Sequence, residues 1–372
     1  MVEWKKIEDL GPYFGGLTGK TKEDFVDGNA KFITYMNVFA NASLDITSTG
    51  VVRISNGEKQ NKIQKGDILF TGSSETPDEA GMSCVVTEEL NEDYYMNSFC
   101  FGIRLNNPEQ YCLNYLKHIL RSSDVRKSIS KSASGVTRFN ISKARFGKIQ
   151  IPIPSLEEQT RIVGILDTFT SAIDNLKEHI AQRRKQYEYY RDQLLDLEGK
   201  PGVEMKISDF CLLKAGKSIS AENIFEKGIG NDFPCIGGNG IRGFVSQHSH
   251  EGSYPVIGRQ GALCGCVNWI TGKFYATEHA VVATGKENMN QRFLYYLFEN
   301  ADLNQYKTQG AQPGLSVAKL NEVKFIIPPL SDQQRIVSIL DTFEASIQNL
   351  EAQLKEREKQ YEYYRNKLLT FE

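Results

Sequence analysis

A long internal repeat constrains this chain more than any other feature. The heptapeptide KQYEYYR stands at 185–191 and again at 359–365, an offset of 174 residues. At the same offset and without a gap, IPIPSLEEQTRIVGILDTF (151–169) aligns with FIIPPLSDQQRIVSILDTF (325–343). A duplicated segment of this length indicates a chain built as variable region, repeated region, variable region and repeated region. Weaker echoes, KIEDL against KISDF and GKT against GKS, link the two variable regions.

Both repeated regions are predicted to be long helices. Prolines precede each one, and Ser155-x-x-Glu158 and Ser331-x-x-Gln334 fit capping boxes that stand two residues out of register. Apolar residues then recur in alternating steps of four and three, a pattern typical of coiled coils. Roughly 40 residues give each helix a length on the order of 60 Å, and Gly199 ends the first. The predicted seam comprises Ile162, Leu166, Phe169, Ile173, Leu176, Ile180, Tyr187, Tyr190 and Leu194, and then Ile336, Leu340, Phe343, Ile347, Leu350, Leu354, Tyr361, Tyr364 and Leu368.

The order of the regions predicts how the two helices pair. The second variable region is entered from the end of the first helix and left into the start of the second, and domain termini usually lie close together. The helices should therefore run antiparallel, with the repeated tyrosines packed in their seam. The predicted fold is α+β: two globular α/β domains separated by two long antiparallel coiled-coil helices, a dumbbell with approximate two-fold symmetry. The predicted boundaries are 1–153, 154–198, 199–327 and 328–372.

Charge is unevenly distributed along the chain. The formal net charge is −2, which gives no global signal for nucleic-acid binding. Residues 111–150 nonetheless carry nine Lys or Arg against one acid, Asp124, while the repeated regions are acidic. Charge this one-sided favours a polyanionic partner over a plain solvated face. The sequence has no apolar run long enough for a transmembrane helix, and its seven cysteines are irregularly spaced, so we expect reduced thiols and a cytoplasmic protein.

Two motifs suggest chemistry that their spacing argues against. GGLTGKT at 15–21 resembles a phosphate-binding P-loop, but Gly15 stands one residue too near the GK pair. Cys264-x-Cys266 with His248 and His250 departs from the paired ligands of structural zinc sites. No arrangement typical of methyl transfer, nuclease or hydrolase catalysis is readable. The sequence therefore predicts neither a catalytic nor a metal site.

The variable regions are predicted to combine strands, helices and polar loops. GDILFTG at 66–72 is a short apolar run that ends in a glycine loop, as a strand would. YCLNYLKHIL at 111–120 and QRFLYYLFEN at 291–300 have the pattern of amphipathic helices in matching places. Polar loops follow them at 130–142 and 306–316, and their side chains are of the kinds that reach phosphates and base edges.

The repeated helix openings carry a family resemblance. PSLEEQTRIVGILD (154–167) and PPLSDQQRIVSILD (328–341), each following a variable domain, resemble the specificity subunits of type I restriction-modification enzymes. QGAQPGLS at 309–316 and IGRQGALCG at 257–265 are similar to elements of that family's target-recognition domains, whereas SGVTRFNIS at 134–142 departs from the first of them. The resemblance covers essentially the whole chain.

The resemblance implies two target-recognition domains, two conserved helices and no catalysis by this chain. Two modification subunits would dock on the helices and methylate adenine with S-adenosylmethionine. Restriction subunits would add ATP- and Mg-dependent translocation and cleavage, so no cofactor is expected on this chain. The two domains would read an asymmetric bipartite target in double-stranded DNA. A non-catalytic coiled-coil adaptor whose end domains bind proteins stays open as the alternative.

Candidate DNA contacts lie in the basic segment and the polar loops. Phosphate anchoring is expected from Arg121, Arg126, Lys127, Lys131, Lys143, Lys217, Arg242, Lys307 and Lys319. Base reading is expected from Thr137, Arg138, Asn140, Arg259, Gln260, Gln309 and Gln312. Ser134 and Ser316 complete the expected contacts.

Overall fold

The computed structural model describes residues 2–226, 232–261, 264–308 and 314–371. The chain divides into two compact units. Unit 1 comprises Met1–Leu176 and Gln353–Glu372, and unit 2 comprises Lys177–Ala352. Each unit therefore holds one variable region together with the beginning of one long helix and the end of the other.

Two helices of 40 residues each, Leu156–Leu195 and Leu330–Leu369, occupy the repeated regions. Their bounds lie two to three residues inside those expected from the apolar period. Both begin at equivalent positions of the repeat, directly after the prolines that bar helix upstream. The helix prediction is confirmed for both copies.

The two helices begin differently in detail. Ser155 Oγ accepts a hydrogen bond from the N–H of Glu158 at 3.4 Å, in agreement with the first predicted cap. The second predicted capping box is wrong, because Leu330 already lies in the helix and Ser331 is its second residue. The carbonyl of Pro329 instead accepts N–H groups of the first turn. The apparent two-residue offset between the caps therefore disappears.

In unit 1 the start of the first long helix packs antiparallel against the end of the second. Phe169 stacks on Tyr364 with ring centroids 5.2 Å apart. Ile162 and Leu166, nearer the start of the first helix, share a buried cluster with Leu369, nearer the end of the second. Advancing along one helix therefore means going back along the other.

Unit 2 reproduces this pairing with the roles of the helices exchanged. Tyr190 stacks on Phe343 with ring centroids 5.4 Å apart, and these are the repeat equivalents of the pair in unit 1. Arg184 forms an ion pair with Glu351 at 2.5 Å. The order of these contacts again makes the helices antiparallel.

The depth of the predicted seam varies along the helices. The packing interpretation suits Tyr187 and Tyr361, which are half-buried, but Tyr190 and Tyr364 stay 46% and 41% exposed although their rings are stacked. The buried seam residues are Ile162, Leu166, Ile173, Ile180, Ile336 and Leu340. The half-buried ones are Phe169, Leu176, Leu194, Phe343, Ile347, Leu350, Leu354 and Leu368.

At the end of each helix the most buried position moves by one residue. Leu195 and Leu369 are buried, whereas the predicted Leu194 and Leu368 are half-buried. A helix with 3.6 residues per turn drifts by about 20° per heptad away from a strict 3.5-residue stripe. The last turn therefore points a neighbouring leucine into the core.

Unit 1 contains a four-stranded antiparallel sheet and a three-stranded sheet beside smaller pairings. The four strands, in spatial order, are Tyr13–Gly15, Cys100–Arg104, Asp67–Thr71 and Ser83–Val85. The three are Gly50–Val52, Ala30–Ile33 and Tyr94–Met96, the last two parallel. A small sheet joins Ala133–Ser134, Phe139–Ile141 and Ser73–Ser74. The shorter helices are Ile7–Asp9, Lys22–Phe25, Tyr35–Ala40, Pro108–Gln110, Leu113–Ile119, Ser123–Ser132 and Lys143–Gly147.

Unit 2 is built around a six-stranded sheet. Its strands, in spatial order, are Cys211–Ala215, Ala280–Gly285, His250–Gly258, Val267–Ala276, Phe233–Gly237 and Gly240–Val245. The shorter helices are Ile207–Phe210, Ala221–Asn223, Gln291–Asn300, Leu303–Tyr306 and Val317–Asn321. Helices at 113–119 and 291–300 confirm the two amphipathic helices predicted from the sequence.

In each unit, one antiparallel strand pair joins the beginning of the variable region to its end, and we call this pair the base of the unit. Glu3–Lys6 pairs antiparallel with Gln150–Ile153 in unit 1, and Val203–Lys206 pairs with Lys324–Ile327 in unit 2. The next residue, Ile7 or Ile207, is fully buried, which accounts for the echo of KIEDL in KISDF. The predicted correspondence between GKT at 19–21 and GKS at 216–218 is wrong in register. Leu17 and Lys217 make the equivalent backbone hydrogen bonds, so GKT and GKS are not structural counterparts.

The start of a long helix belongs to the core of each unit. Ile162 and Leu166 share a cluster with buried Tyr115 in unit 1. Ile336 and Leu340 share one with buried Tyr296 in unit 2. Burying one such apolar side chain contributes about 1.5–3 kcal/mol. Each helix start is therefore fixed to the variable region that precedes it.

Candidate nucleic-acid interface

A buried glutamine joins each variable region to the helix that follows it. Gln159 and Gln333 are both 1% exposed. Gln159 Nε2 donates to the carbonyl of Pro154 at 2.8 Å, and its Oε1 accepts the N–H of Cys112 at 2.9 Å. Gln333 makes the same two hydrogen bonds, at 2.9 Å to the equivalent proline carbonyl and at 2.8 Å to the N–H of Asn290. Sequence reasoning assigned these residues no role, although both occupy one position of the repeated motif.

A repeated aspartate makes a second joint, which is polar and half-buried in unit 1. Asp167 Oδ1 lies 2.8 Å from His118 Nε2 and 3.0 Å from Lys117 Nζ. Burial lowers the pKa of His118 to about 4, against the opposing hydrogen bond to Asp167. The ring is therefore neutral at pH 7. A tautomer that donates from Nε2 to Asp167 and accepts the Tyr361 hydroxyl at Nδ1, 3.2 Å away, satisfies both nitrogens.

In unit 2 the equivalent aspartate meets an arginine instead. Arg292 Nε donates to Asp341 at 2.8 Å, and its Nη2 pairs with Glu344 and donates to the Tyr296 hydroxyl at 3.0 Å. The guanidinium also lies against aromatic rings, including Trp269 at 4.9 Å and Tyr296 at 4.7 Å from the ring centroids. Burial opposes the charge, but the hydrogen bond to Asp341 and the surrounding groups raise the pKa of Arg292. The buried partner of the aspartate is thus a neutral histidine in unit 1, with Lys117 beside it, and a charged arginine in unit 2.

Two of the expected phosphate anchors have a structural role. The Arg121 guanidinium donates to carbonyls of residues 38–41 and of Ser83 at 2.6–3.4 Å. That of Arg126 donates to carbonyls within residues 78–81 at 2.6–2.8 Å. Burial lowers the pKa of Arg121, and it lowers the pKa of Arg126 to about 10. Because these donors are already occupied, we correct the assignment of both residues from phosphate anchoring to fixing loops of unit 1.

The lysines of the same segment are differently placed. Lys127, Lys131 and Lys143 are exposed. The ion pair of Lys127 with Asp124 spans 3.9 Å between side chains that are 74% and 70% exposed, so it holds the lysine weakly. Lys143 Nζ lies 5.3 Å from the ring centroid of Phe101. All three ammonium groups can reach a polyanion.

One hairpin gathers the expected base-reading residues of unit 1. Ser134 faces Asn140 across the hairpin, and Thr137 and Arg138 lie in its connection. All four are exposed. Arg138 Nε donates to Ser73 Oγ at 3.2 Å, which ties the connection to the neighbouring strand.

In unit 2, two loops that resemble family elements meet. The N–H of Leu315 donates to the carbonyl of Arg259 at 2.8 Å, and Gln260 forms a β-bridge with Gly314. Gln260 is exposed. Arg259 Nε is buried and has no hydrogen-bond partner among the residues that the structure describes. The sequence could not show this meeting, because the loops lie more than fifty residues apart.

The other candidates of unit 2 fall into three groups. Lys217, Arg242 and Lys319 are exposed. Lys307 is exposed and donates to Asn304 Oδ1 at 2.7 Å. Ser316 caps the helix Val317–Asn321, with its Oγ accepting the N–H of Lys319 at 3.4 Å. Gln309 and Gln312 lie outside the described residues.

The lysine of the P-loop-like motif has a local structural role. Lys20, from GGLTGKT, donates to the carbonyl of Arg53 at 2.6 Å and pairs with Glu58 at 2.7 Å. Its side chain is 8% exposed, so the ammonium is occupied within unit 1. In the described part of the chain, no group of three or more His, Cys, Asp or Glu side chains could hold a metal ion.

Comparison with known proteins decides the family. The model of the type I restriction modification DNA specificity domain matches the chain over residues 1–183 and again over 200–358. The chain belongs to this family. Specificity subunits are the non-catalytic components of type I systems, and this chain is accordingly a DNA-recognition subunit without catalytic activity of its own.

Relatives support the same assignment across the whole chain. The specificity subunit of the EcoprrI type I restriction enzyme of Escherichia coli is 32% identical over 367 residues, which cover 92% of this chain and 88% of that one. A putative type I restriction enzyme specificity subunit of Haemophilus influenzae is 36% identical over 155 residues, covering 39% of this chain and 40% of the relative.

Solved structures of the family share the fold. The S subunit of a type I restriction-modification system from M. genitalium matches with a TM-score of 0.61 at 17% identity, over 100% of this chain and 97% of that one. A chain from a study of complex assembly and conformational transition of the type I system matches with a TM-score of 0.64 at 16% identity, over 99% and 97%. The predicted fold class, with two mixed recognition domains and long helices, is confirmed. Within the described ranges, no helix of this specificity subunit is long and apolar enough to cross a membrane.

Proposed function

We propose that this specificity subunit reads an asymmetric bipartite DNA target, one half-site with each unit. The observation that supports the proposal is the double family match, over residues 1–183 and 200–358, because each match includes one variable region. The two regions differ in sheet architecture and in their exposed polar loops, so the half-sites should differ. Reading the same face of a duplex would place the half-site centres about 34 Å apart, one helical turn.

The proposed contacts follow the exposed side chains. Lys127, Lys131 and Lys143 anchor phosphates in unit 1, because their ammonium groups are exposed within a strongly basic segment. Lys217, Arg242, Lys307 and Lys319 do so in unit 2. Base reading falls to Thr137, Arg138 and Asn140 of the hairpin in unit 1, and in unit 2 to Arg259, Gln260, Gln309 and Gln312. Ser134 and Ser316 are further proposed DNA contacts.

The repeated helices are proposed to dock two modification subunits. Duplicate surfaces suit two copies of one partner, since Tyr190 on Phe343 and Tyr364 on Phe169 are equivalent stacks in the two units. The exposed neighbours Tyr189 and Tyr363, at 59% and 60%, extend both surfaces. The modification subunits would bind S-adenosylmethionine and methylate adenine, and restriction subunits would bring ATP and Mg. The complex would act on DNA in the cytoplasm.

Mapping methylated adenines in cells tests the proposal. Cells that carry this gene together with its modification partner should show one bipartite motif with an unread gap, and cells lacking the gene should lose it. An unchanged set of methylated adenines after deletion would contradict a role in target choice. A single uninterrupted motif would contradict the assignment of one half-site to each unit.

A further inference from the structure

Unit 1 contains an open cavity of about 390 Å³ beside the base-reading hairpin. Its lining includes Tyr35, Phe39, Glu75, Glu79 and Arg138. The cavity thus combines two carboxylates, a guanidinium and aromatic surface. Of these residues, sequence reasoning singled out only Arg138.

Local contacts hold the cavity walls in place. The Tyr35 and Phe39 rings stack with their centroids 6.1 Å apart, and the Tyr35 hydroxyl donates to the carbonyl of Ser73 at 2.8 Å. Ser73 Oγ in turn accepts from Arg138. Ser74 Oγ donates to Glu79 Oε2 at 3.1 Å, which orients that carboxylate. The polar groups are therefore positioned without a ligand.

Two large apolar side chains at or near the cavity remain exposed to solvent. Met36 lines the cavity and is 60% exposed. Phe99 is 57% exposed, and its ring centroid lies 5.4 Å from the Arg138 guanidinium. Large apolar side chains that stay exposed beside oriented polar groups suit an interaction surface.

The charged side chains of the cavity determine which part of a DNA duplex it could bind. A phosphate would meet Arg138 favourably but would be repelled by Glu75 and Glu79. In the major groove, guanine offers the acceptors O6 and N7, which suit arginine, and cytosine offers the N4 amino donor, which suits a carboxylate. A single G·C pair therefore satisfies both kinds of group in this cavity.

We propose that this cavity reads one G·C pair of the unit 1 half-site, with Arg138 donating to guanine and Glu79 accepting from the cytosine N4 amino group. The inference rests on the proposed function, since it names the base pair that this unit recognises. Glu79 is a specificity-determining residue in this account, and Ser74 positions it.

The test uses the complete chain assembled with its modification subunits and duplexes that carry the mapped target. Glu79→Gln should weaken binding about tenfold, within the 1–3 kcal/mol typical of one base contact, and relax sequence preference at one G·C position of one half-site. Glu88→Gln is the matched control, because Glu88 is exposed, lies outside the cavity lining and loses the same charge. It should leave both affinity and preference unchanged.

A base analogue sharpens the test. Replacing the cytosine of that pair by 2-pyrimidinone, which lacks the N4 amino group, should weaken wild-type binding about tenfold. The same replacement should have little further effect on Glu79→Gln, because the contact is already lost. Retained preference for the unit 2 half-site shows that the variant is folded.

Three results would overturn the inference. Glu79→Gln could strengthen binding to all duplexes alike, which would mean that the carboxylate only repels phosphates. The variant could keep the wild-type preference at every position. The two changes could also weaken binding independently of each other. Failure of the proposed function is distinguishable, because the wild-type complex would then show no bipartite preference at all.

Discussion

The two units share a base and differ in what the base carries. Each is closed by one antiparallel strand pair, buries one isoleucine behind it, and holds its long helix through one buried glutamine. Above that base, unit 1 has a four-stranded and a three-stranded sheet, whereas unit 2 has one six-stranded sheet. The shared parts are those that connect a recognition region to a helix. The parts that differ present the polar loops, so recognition can diverge without disturbing the attachment.

The largest expected effect tests whether the base is equivalent in the two units. Ile7→Ala and Ile207→Ala each remove a fully buried side chain, and each should lower the free energy of unfolding of its unit by about 2–5 kcal/mol. The chain has two tryptophans, Trp4 in unit 1 and Trp269 in unit 2. Urea unfolding followed by fluorescence in Trp269→Phe or Trp4→Phe backgrounds therefore reports each unit separately.

Exposed valines provide the controls for the isoleucine changes. Val26 is 80% exposed and Val203 is 65% exposed, so alanine there should change stability by less than about 0.5 kcal/mol. Costs for the two isoleucines that differ by more than about 2 kcal/mol would break the comparison, because the bases would then not be equivalent.

Replacing the buried glutamines should cause the next largest loss of stability. Gln159→Leu and Gln333→Leu each leave a half-buried N–H and a buried proline carbonyl without their side-chain partner, and Gln333→Leu also frees the carbonyl of Asn288. Each change should cost about 1–3 kcal/mol in the unit concerned. Gln193→Leu, at an exposed position of the first helix, is the matched control. Unchanged urea midpoints for both variants would show that the joint does not hold the helix.

Lowering the pH should destabilise unit 1 more than unit 2, because the buried partner of the repeated aspartate is a neutral histidine in unit 1 and an arginine in unit 2. The pKa of His118 is lowered to about 4, so the unfolded chain binds this proton more readily, and unit 1 loses stability as pH falls from about 6.5 towards 4. The expected loss at pH 5 is on the order of 1–2 kcal/mol. The facing groups are Asp167, Lys117, Tyr361 and Arg365. Asp167 has a lowered pKa, so its own loss comes below this window.

Unit 2 provides the contrast for this pH dependence. Arg292 keeps its charge throughout the range, and burial raises the pKa of Glu299, which favours the folded state as pH falls. On acidification, the stability of unit 1 reported by Trp4 fluorescence should therefore fall, while the stability of unit 2 reported by Trp269 should not. His118→Asn should remove the difference. An equal loss in both units, or a loss that persists in the variant, would contradict this account.

The smallest expected effect separates structural from DNA-contacting cations in unit 1. Lys127→Ala should leave urea unfolding unchanged, weaken binding to all duplexes alike, and reduce the slope of log affinity against log salt by about 1. Arg126→Ala should instead destabilise unit 1, because three carbonyls within 78–81 lose their donor. Binding that changes its sequence preference in Lys127→Ala would exclude a phosphate contact.

The sequence predicted the long helices well, because a repeated apolar period and flanking prolines are local signals. It could not separate Arg121 and Arg126 from the exposed lysines beside them, since the difference depends on carbonyls more than thirty residues away in the chain. The cavity of unit 1 was hidden for the same reason. Glu75 and Glu79 join Arg138 only after a strand and a hairpin pair across the fold.

We propose that the repeated helices set the spacing between the half-sites while the divergent regions read DNA, and methylated-adenine mapping of a lengthened chain tests this claim most directly. Four residues of helix-forming sequence, inserted after His179 and at the equivalent position after Gln353, lengthen both helices by about one turn. The account predicts the same two half-site sequences with a longer unread gap between them. Altered half-site sequences, or an unchanged gap, would contradict it.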